Sequence, residues 1–241
     1  MAKKHNRRSD VDDVDIDDHI FNLDRYDEND YIARFHQTKY SQPAINYKQQ
    51  YLLIDSELLD TYSCVSPDKD NLEAYSIKLS SIIKISANLF EIVAKDFYKK
   101  LFDVPIADDD RSLNIFHYLR LCKELKIDQA MYHALWVHDS TGGTTYNINN
   151  PFEAISGIDI ENDWDNFCDN KPDWWRAYNN LKRSLDGMKK IATLKNAILA
   201  TAATFLLLNK IYGHGFVDRW EKNEKGEIRT TQVSRLFYIA S

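Results

Sequence analysis

Six cations within twenty residues form the densest chemistry-bearing group outside the N-terminus: Arg176, Lys182, Arg183, Lys189, Lys190 and Lys195. Guanidinium and ammonium groups set along a helix can grip a nucleic-acid phosphate backbone. Arg176 and Arg183 are seven apart, so they share a helix face, with Lys182 beside it. The same row also fits a solvated face whose charges pair with Asp163, Asp165 and Asp169. Trp174 and Trp175 offer stacking surfaces or core volume, and at least one is expected inside. The formal net charge is −6. Nucleic acid would therefore have to find this local patch, because no global positive field attracts it.

Other reactive types lack partners at useful spacing. His133 and His138 have no third ligand for zinc. Gly142-Gly143 reads as a turn, and no phosphate loop, dinucleotide fingerprint or serine-hydrolase elbow is present. The acidic run at residues 13–18 lacks the turn glycine and terminal glutamate of a calcium loop. Cys64, Cys122 and Cys168 are far apart and odd in number, as in a reducing compartment. Neither a metal nor a cofactor is expected.

The elements that must position the basic row follow from periodicity. Ile191, Leu194, Ile198, Thr201, Phe205, Leu208 and Tyr212 fall at spacings of three and four, which predicts a helix over Ile191–Tyr212. Its opposite face is uncharged too, as in a central core helix. A membrane span needs roughly 20 uninterrupted apolar residues, and here the uncharged run is only Ala197 to Leu208. Gly213 stands where a helix-ending glycine belongs. Pro172-Asp173 start a preceding helix that runs to about Leu185 and turns back at Asp186-Gly187. A stripe from Leu72 to Leu101 predicts a long helix, and Leu113, Phe116, Leu119, Cys122 and Leu125 predict another, from Asp110 or Ser112 to Lys126.

The rest is less regular. Residues 1–19 pass from basic to acidic and read as a solvated tail. Residues 20–46 read as a loop-rich lead-in with one short helix around Asp30–Thr38. Tyr47–Val65 carries β-formers and reads as a short hairpin or extended pair. Residues 127–172 form a long, weakly periodic region of the kind that often binds partners. Phe216–Val233, with a turn at Asn223–Gly226, reads as a C-terminal hairpin. The apolar tail at residues 236–239 either caps the core or meets a partner. The division is thus a tail (1–19), a helical domain (20–212) and a C-terminal hairpin with its apolar tail (213–241). The expected fold is mostly α: a helical bundle with a small β element and that hairpin. Secretion and membrane insertion are not expected.

Two stretches, Tyr51–Phe97 and Lys171–Leu208, cover about a third of the chain. The second contains Trp174-Trp175-x-x-Tyr178-Asn179-x-x-Lys182, followed by ATLKNA at residues 192–197. Together they resemble uncharacterised bacterial HEPN-like proteins. The resemblance implies a four-to-five-helix bundle often found near defence and stress genes. It also implies a place among metal-independent ribonucleases, nucleotide-binding partners or inactive structural versions. In such ribonucleases an arginine stabilises charge on the scissile phosphate, and a histidine four to six residues later moves the 2′-hydroxyl proton. Arg111 and His117 have that spacing, in a different helix from the rest of the match. Asn179 and Lys182 match the family's Asn-x-x-Lys-His. Arg183 stands in place of the histidine, and a permanently charged guanidinium holds phosphate but cannot serve as a base.

These readings lead to an accessory or catalytically degenerate HEPN-like protein of a bacterial or phage-borne defence or stress system. It would be cytoplasmic and would bind RNA, a nucleotide or a protein partner. The nucleic-acid-binding residues would be Arg176, Asn179, Lys182, Arg183, Lys189 and Lys190. Two rival readings stand beside it. One is an active ribonuclease toxin using Arg111 and His117. The other is a structural interaction protein that forms a homodimer through its C-terminal tail.

Overall fold

A computed structural model describes residues 38–102, 113–134, 150–159, 162–183, 187–213, 216–217 and 234–239. Among them are seven α-helices: α1 (Gln42–Tyr62), α2 (Ile77–Phe102), α3 (Ile115–Glu124), α4 (Trp164–Asp169), α5 (Asp173–Arg183), α6 (Met188–Ile191) and α7 (Leu194–Tyr212). Two short strands, β1 (Tyr132–Ala134) and β2 (Phe237–Ile239), pair antiparallel with Ala134 opposite Phe237. The architecture is a mostly helical bundle.

Helix α7 is the axis. All but two of its residues, Lys195 and Lys210, are buried. It is long and apolar enough to cross a membrane by length and composition, but its side chains lie inside the bundle. Helix α2 packs along it, and α1 and α5 contact both helices. Small residues let the backbones approach closely. Ser86 Oγ and Thr201 Oγ1 are 3.1 Å apart, and Thr204 Oγ1 donates to the Ser86 carbonyl at 3.0 Å. Both threonines also bond one turn back within α7, so these buried hydroxyls are satisfied.

Helix α7 starts three residues later than periodicity alone suggests. Thr193 is its N-cap, and its side chain accepts from Asn196 N. The preceding residues form the single-turn helix α6, entered at Gly187 with φ of 74°. The long first-half helix also starts later than Leu72, at Ile77, where Ser76 Oγ accepts from Leu79 N. Residues 72–75 have another use. Tyr75 bridges Thr193, and the carbonyls of Ala74 and Leu72 accept from Leu194 N and Lys195 N at 2.8 and 2.9 Å.

One expectation is overturned. Residues Tyr47–Val65 are not a hairpin: most of them belong to α1, capped by Ser41 with Pro43 in its first turn. The inward positions are Tyr51, Ile54, Asp55, Leu58 and Thr61. That is a helical stripe interrupted by a carboxylate, and the β-formers in it pack as helix residues.

The small β element instead joins the stretch after α3 to the C-terminus. Leu236 and Phe237 are buried, and Phe237 stacks obliquely on Phe205 and Tyr132. The apolar tail therefore caps the chain's own core. Phe216 packs on Tyr212 with ring centroids 4.5 Å apart. Residues 218–233, which hold most of the expected hairpin, lie outside the described residues, as do the tail at 1–19 and the lead-in up to residue 37.

Part of the irregular region is firmly tied. Lys123 Nζ donates to the carbonyls of Ile155, at 3.1 Å, and Ile158. Asn150 Nδ2 donates to the Ile127 and Ala130 carbonyls, and Trp174 Nε1 donates to the Pro151 carbonyl at 2.8 Å. Phe152 and Phe167 are fully buried.

Candidate nucleic-acid interface on the basic helices

Helix α5 forms because the Pro172 carbonyl receives the first amides, those of Trp175 and Arg176, at 3.0 Å each. Lys182 and Arg183 occupy its last turn, where cations suit the helix dipole. Trp174, Trp175, Ala177, Tyr178 and Leu181 face inward. Both tryptophans are buried, in edge-to-face contact with Phe90. They are core residues and offer no open ring face to a ligand.

The outward cations differ in how they are held. Arg176 Nη2 donates to the Asp169 carbonyl at 2.7 Å, so it closes the end of α4. Lys182 Nζ lies 3.9 Å from Glu91 Oε2 and 4.5 Å from the centroid of the Tyr178 ring. Tyr178 OH donates to the same Glu91 oxygen at 3.0 Å. Burial, then the Glu91 charge, pushes the Tyr178 hydroxyl well above its ordinary pKa, so it remains a donor. Asn179 is half-buried beside this group.

Arg183, Lys189 and Lys190 are exposed. Among the described residues, no ion pair joins them, or any member of the row, to Asp163, Asp165 or Asp169. Helix α6 lies against α5, and the three charges stand at the junction of these two helices, Arg183 ending one and Lys189 and Lys190 within the next. Lys189 Nζ stands 5.7 Å from the centroid of the ring of Tyr75, a residue that is 44% exposed.

A helix N-terminus would ordinarily offer free amides to phosphate. The first four amides of α7 are already taken. Leu194 N and Lys195 N donate to Ala74 and Leu72, Asn196 N to Thr193 Oγ1, and Ala197 N to the Thr193 carbonyl. Any phosphate held at the start of α7 is therefore held by side chains.

The other candidate pair is placed differently. Arg111 lies outside the described residues. His117 is 9% exposed and sits at the third position of α3, in a capping box with Asn114. Its Nδ1 lies 3.2 Å from the Asn114 backbone N and 3.1 Å from Asn114 Oδ1, so the cap engages this ring nitrogen. Its ring meets Tyr98 edge-on with centroids 5.9 Å apart. Among the described residues, no group of three or more His, Cys, Asp or Glu could hold a metal ion.

The sequence reading missed Tyr75 and Glu91. Tyr75 fell within an apparent helical stripe. The available signal was Ser76, a good N-cap that places Tyr75 just outside the helix. Glu91 looked like an ordinary outward charge, and only the packing of α2 against α5 pairs it with Tyr178.

No family model matches the chain, and neither a curated protein nor a solved structure matches it.

Proposed function

We propose that this bundle is of the HEPN-like kind and acts as a binding protein, holding an RNA backbone at the edge formed by α5 and α6. Arg183, Lys189 and Lys190 make the phosphate contacts. Lys182 and Arg176, already positioned by Glu91 and Asp169, flank them, and Asn179 lies alongside. The observation that carries the reading is the set of three exposed cations at the α5–α6 junction, with no acidic partner among the described residues. A structural surface with net charge −6 has carboxylates to spare for neutralising such a cluster. Exposed cations without an acidic partner among the described residues favour an anionic ligand. The use of His117 Nδ1 in a helix cap supports binding over proton transfer. The setting in this reading is a cytoplasmic defence or stress system of a bacterium or phage.

Fluorescence anisotropy with a labelled single-stranded RNA at low salt tests it. Wild type should bind, and Arg183→Ala/Lys189→Ala/Lys190→Ala should bind on the order of tenfold or more weakly. Equal affinity of the two proteins would overturn the assignment.

A further inference from the structure

We infer that Tyr75 is a base-stacking residue and that the ligand of the basic edge is a single-stranded nucleic acid, a conclusion that rests on the reading of that edge as a phosphate-binding surface. Cations alone do not distinguish a duplex from a single strand, since both present phosphates. An accessible aromatic ring beside them does. In a single strand the π-face of a base is available for stacking, whereas in a duplex it is covered by its neighbours.

Tyr75 meets the requirements of such a platform. The residue is 44% exposed, two positions before Ile77, which is 74% exposed. Its backbone is held on both sides: Tyr75 bridges Thr193, Ser76 N donates to the Ala192 carbonyl at 3.4 Å, and the Ala74 carbonyl accepts from Leu194 N. The ring therefore projects from a fixed strand-like segment against the start of α7, and ordering it on binding costs little. Lys189, 5.7 Å from the ring centroid, puts a phosphate-binding cation within one nucleotide of a stacked base. The neighbouring aromatics cannot serve. Trp174, Trp175 and Tyr178 are at most 4% exposed.

The fold supplies an internal control. Tyr40 is 73% exposed and has Lys39 Nζ 5.0 Å from its ring centroid, which is the same local chemistry. It lies just before α1, and α1 runs antiparallel to α2: Tyr47 interacts with Asp96, and Glu57 pairs with Lys78. Tyr40 is thus at the other end of the bundle from Tyr75.

The experiment measures binding of one mixed-sequence oligonucleotide as single-stranded RNA, as single-stranded DNA and as a duplex. The proteins are wild type, Tyr75→Ala, Tyr75→Phe, Tyr40→Ala and Lys189→Ala, each first checked for native thermal unfolding. Wild type should favour the single strands over the duplex, and the tighter of the two single strands names the natural source. Tyr75→Ala should weaken single-strand binding about tenfold without changing its salt dependence, because stacking releases no counterions. Tyr75→Phe should bind like wild type and Tyr40→Ala should be unaffected, while Lys189→Ala should reduce the salt dependence. Wild-type affinity in Tyr75→Ala, or equal binding of duplex and single strands, overturns the stacking role while the phosphate edge stands. If no nucleic acid binds wild type, both fall together.

Discussion

The Asp55 carboxylate lies 2.5 Å from the Ser234 hydroxyl, across 179 residues of chain. It also accepts from Tyr51 OH at 3.3 Å and from Arg235 N at 3.0 Å, and it is 1% exposed. Ser234 Oγ in turn accepts from the amides of Leu236 and Phe237. One buried carboxylate on α1 thus fixes the entry of the C-terminal strand. Asp55→Ala strands these donors and should cost about 3 kcal/mol or more in urea denaturation. Asp55→Asn keeps an oxygen for Arg235 N and turns its amide toward the hydroxyls, so it should cost about 1 kcal/mol.

The same pair predicts a pH dependence. Burial raises the Asp55 pKa above the ordinary 3.8, offset in part by the bonds from Ser234, Arg235 N and Tyr51. The folded state therefore holds the proton more tightly than the unfolded state. The group's contribution to stability falls as pH rises from about the unfolded value through the folded one, and returns on acidification. The stability of wild type relative to Asp55→Asn should therefore increase as pH falls through that window. A gap that shrinks on acidification would contradict this.

His117→Ala should act on stability and leave RNA intact. It removes half of the capping box with Asn114 and the edge contact with Tyr98, at a cost of about 2 kcal/mol in denaturation. Incubated with total RNA, wild type and variant should leave the same undegraded background.

The α2–α7 interface should resist enlargement. Ala197 is fully buried, one turn before Thr201 and two before Thr204, on the line that meets Ser86. Ala197→Leu should push the helices apart and cost about 1–3 kcal/mol, read as a lower urea midpoint.

The core axis was legible because α7 is apolar on every side between lysines and ends at Gly213, and its uncharged run is shorter than the roughly 20 residues a membrane span needs. Helix α5 was legible from Pro172-Asp173 and the inward spacing of Trp175, Tyr178 and Leu181. Helix α1 was not, because Asp55 stands in the middle of its buried face. A carboxylate there breaks the periodic signal, and its partners Ser234 and Arg235 lie at the other end of the chain. The basic row was visible as composition, but which of its cations are engaged was not. That depends on Glu91 meeting Lys182, on the Asp169 carbonyl meeting Arg176, and on residues 72–75 leaving the helix to pair with the start of α7. His117 shows the converse: a spacing that suggests chemistry is used by a helix cap.

The most direct test of the central claim is the salt dependence of binding to single-stranded RNA, measured for wild type and for Arg183→Ala/Lys189→Ala/Lys190→Ala. Each phosphate contact on a single strand contributes about −0.7 to the slope of log K against log salt. Losing three such contacts should make the slope shallower by about 2. Identical slopes in the two proteins, or wild-type binding that does not weaken with salt, would contradict the account.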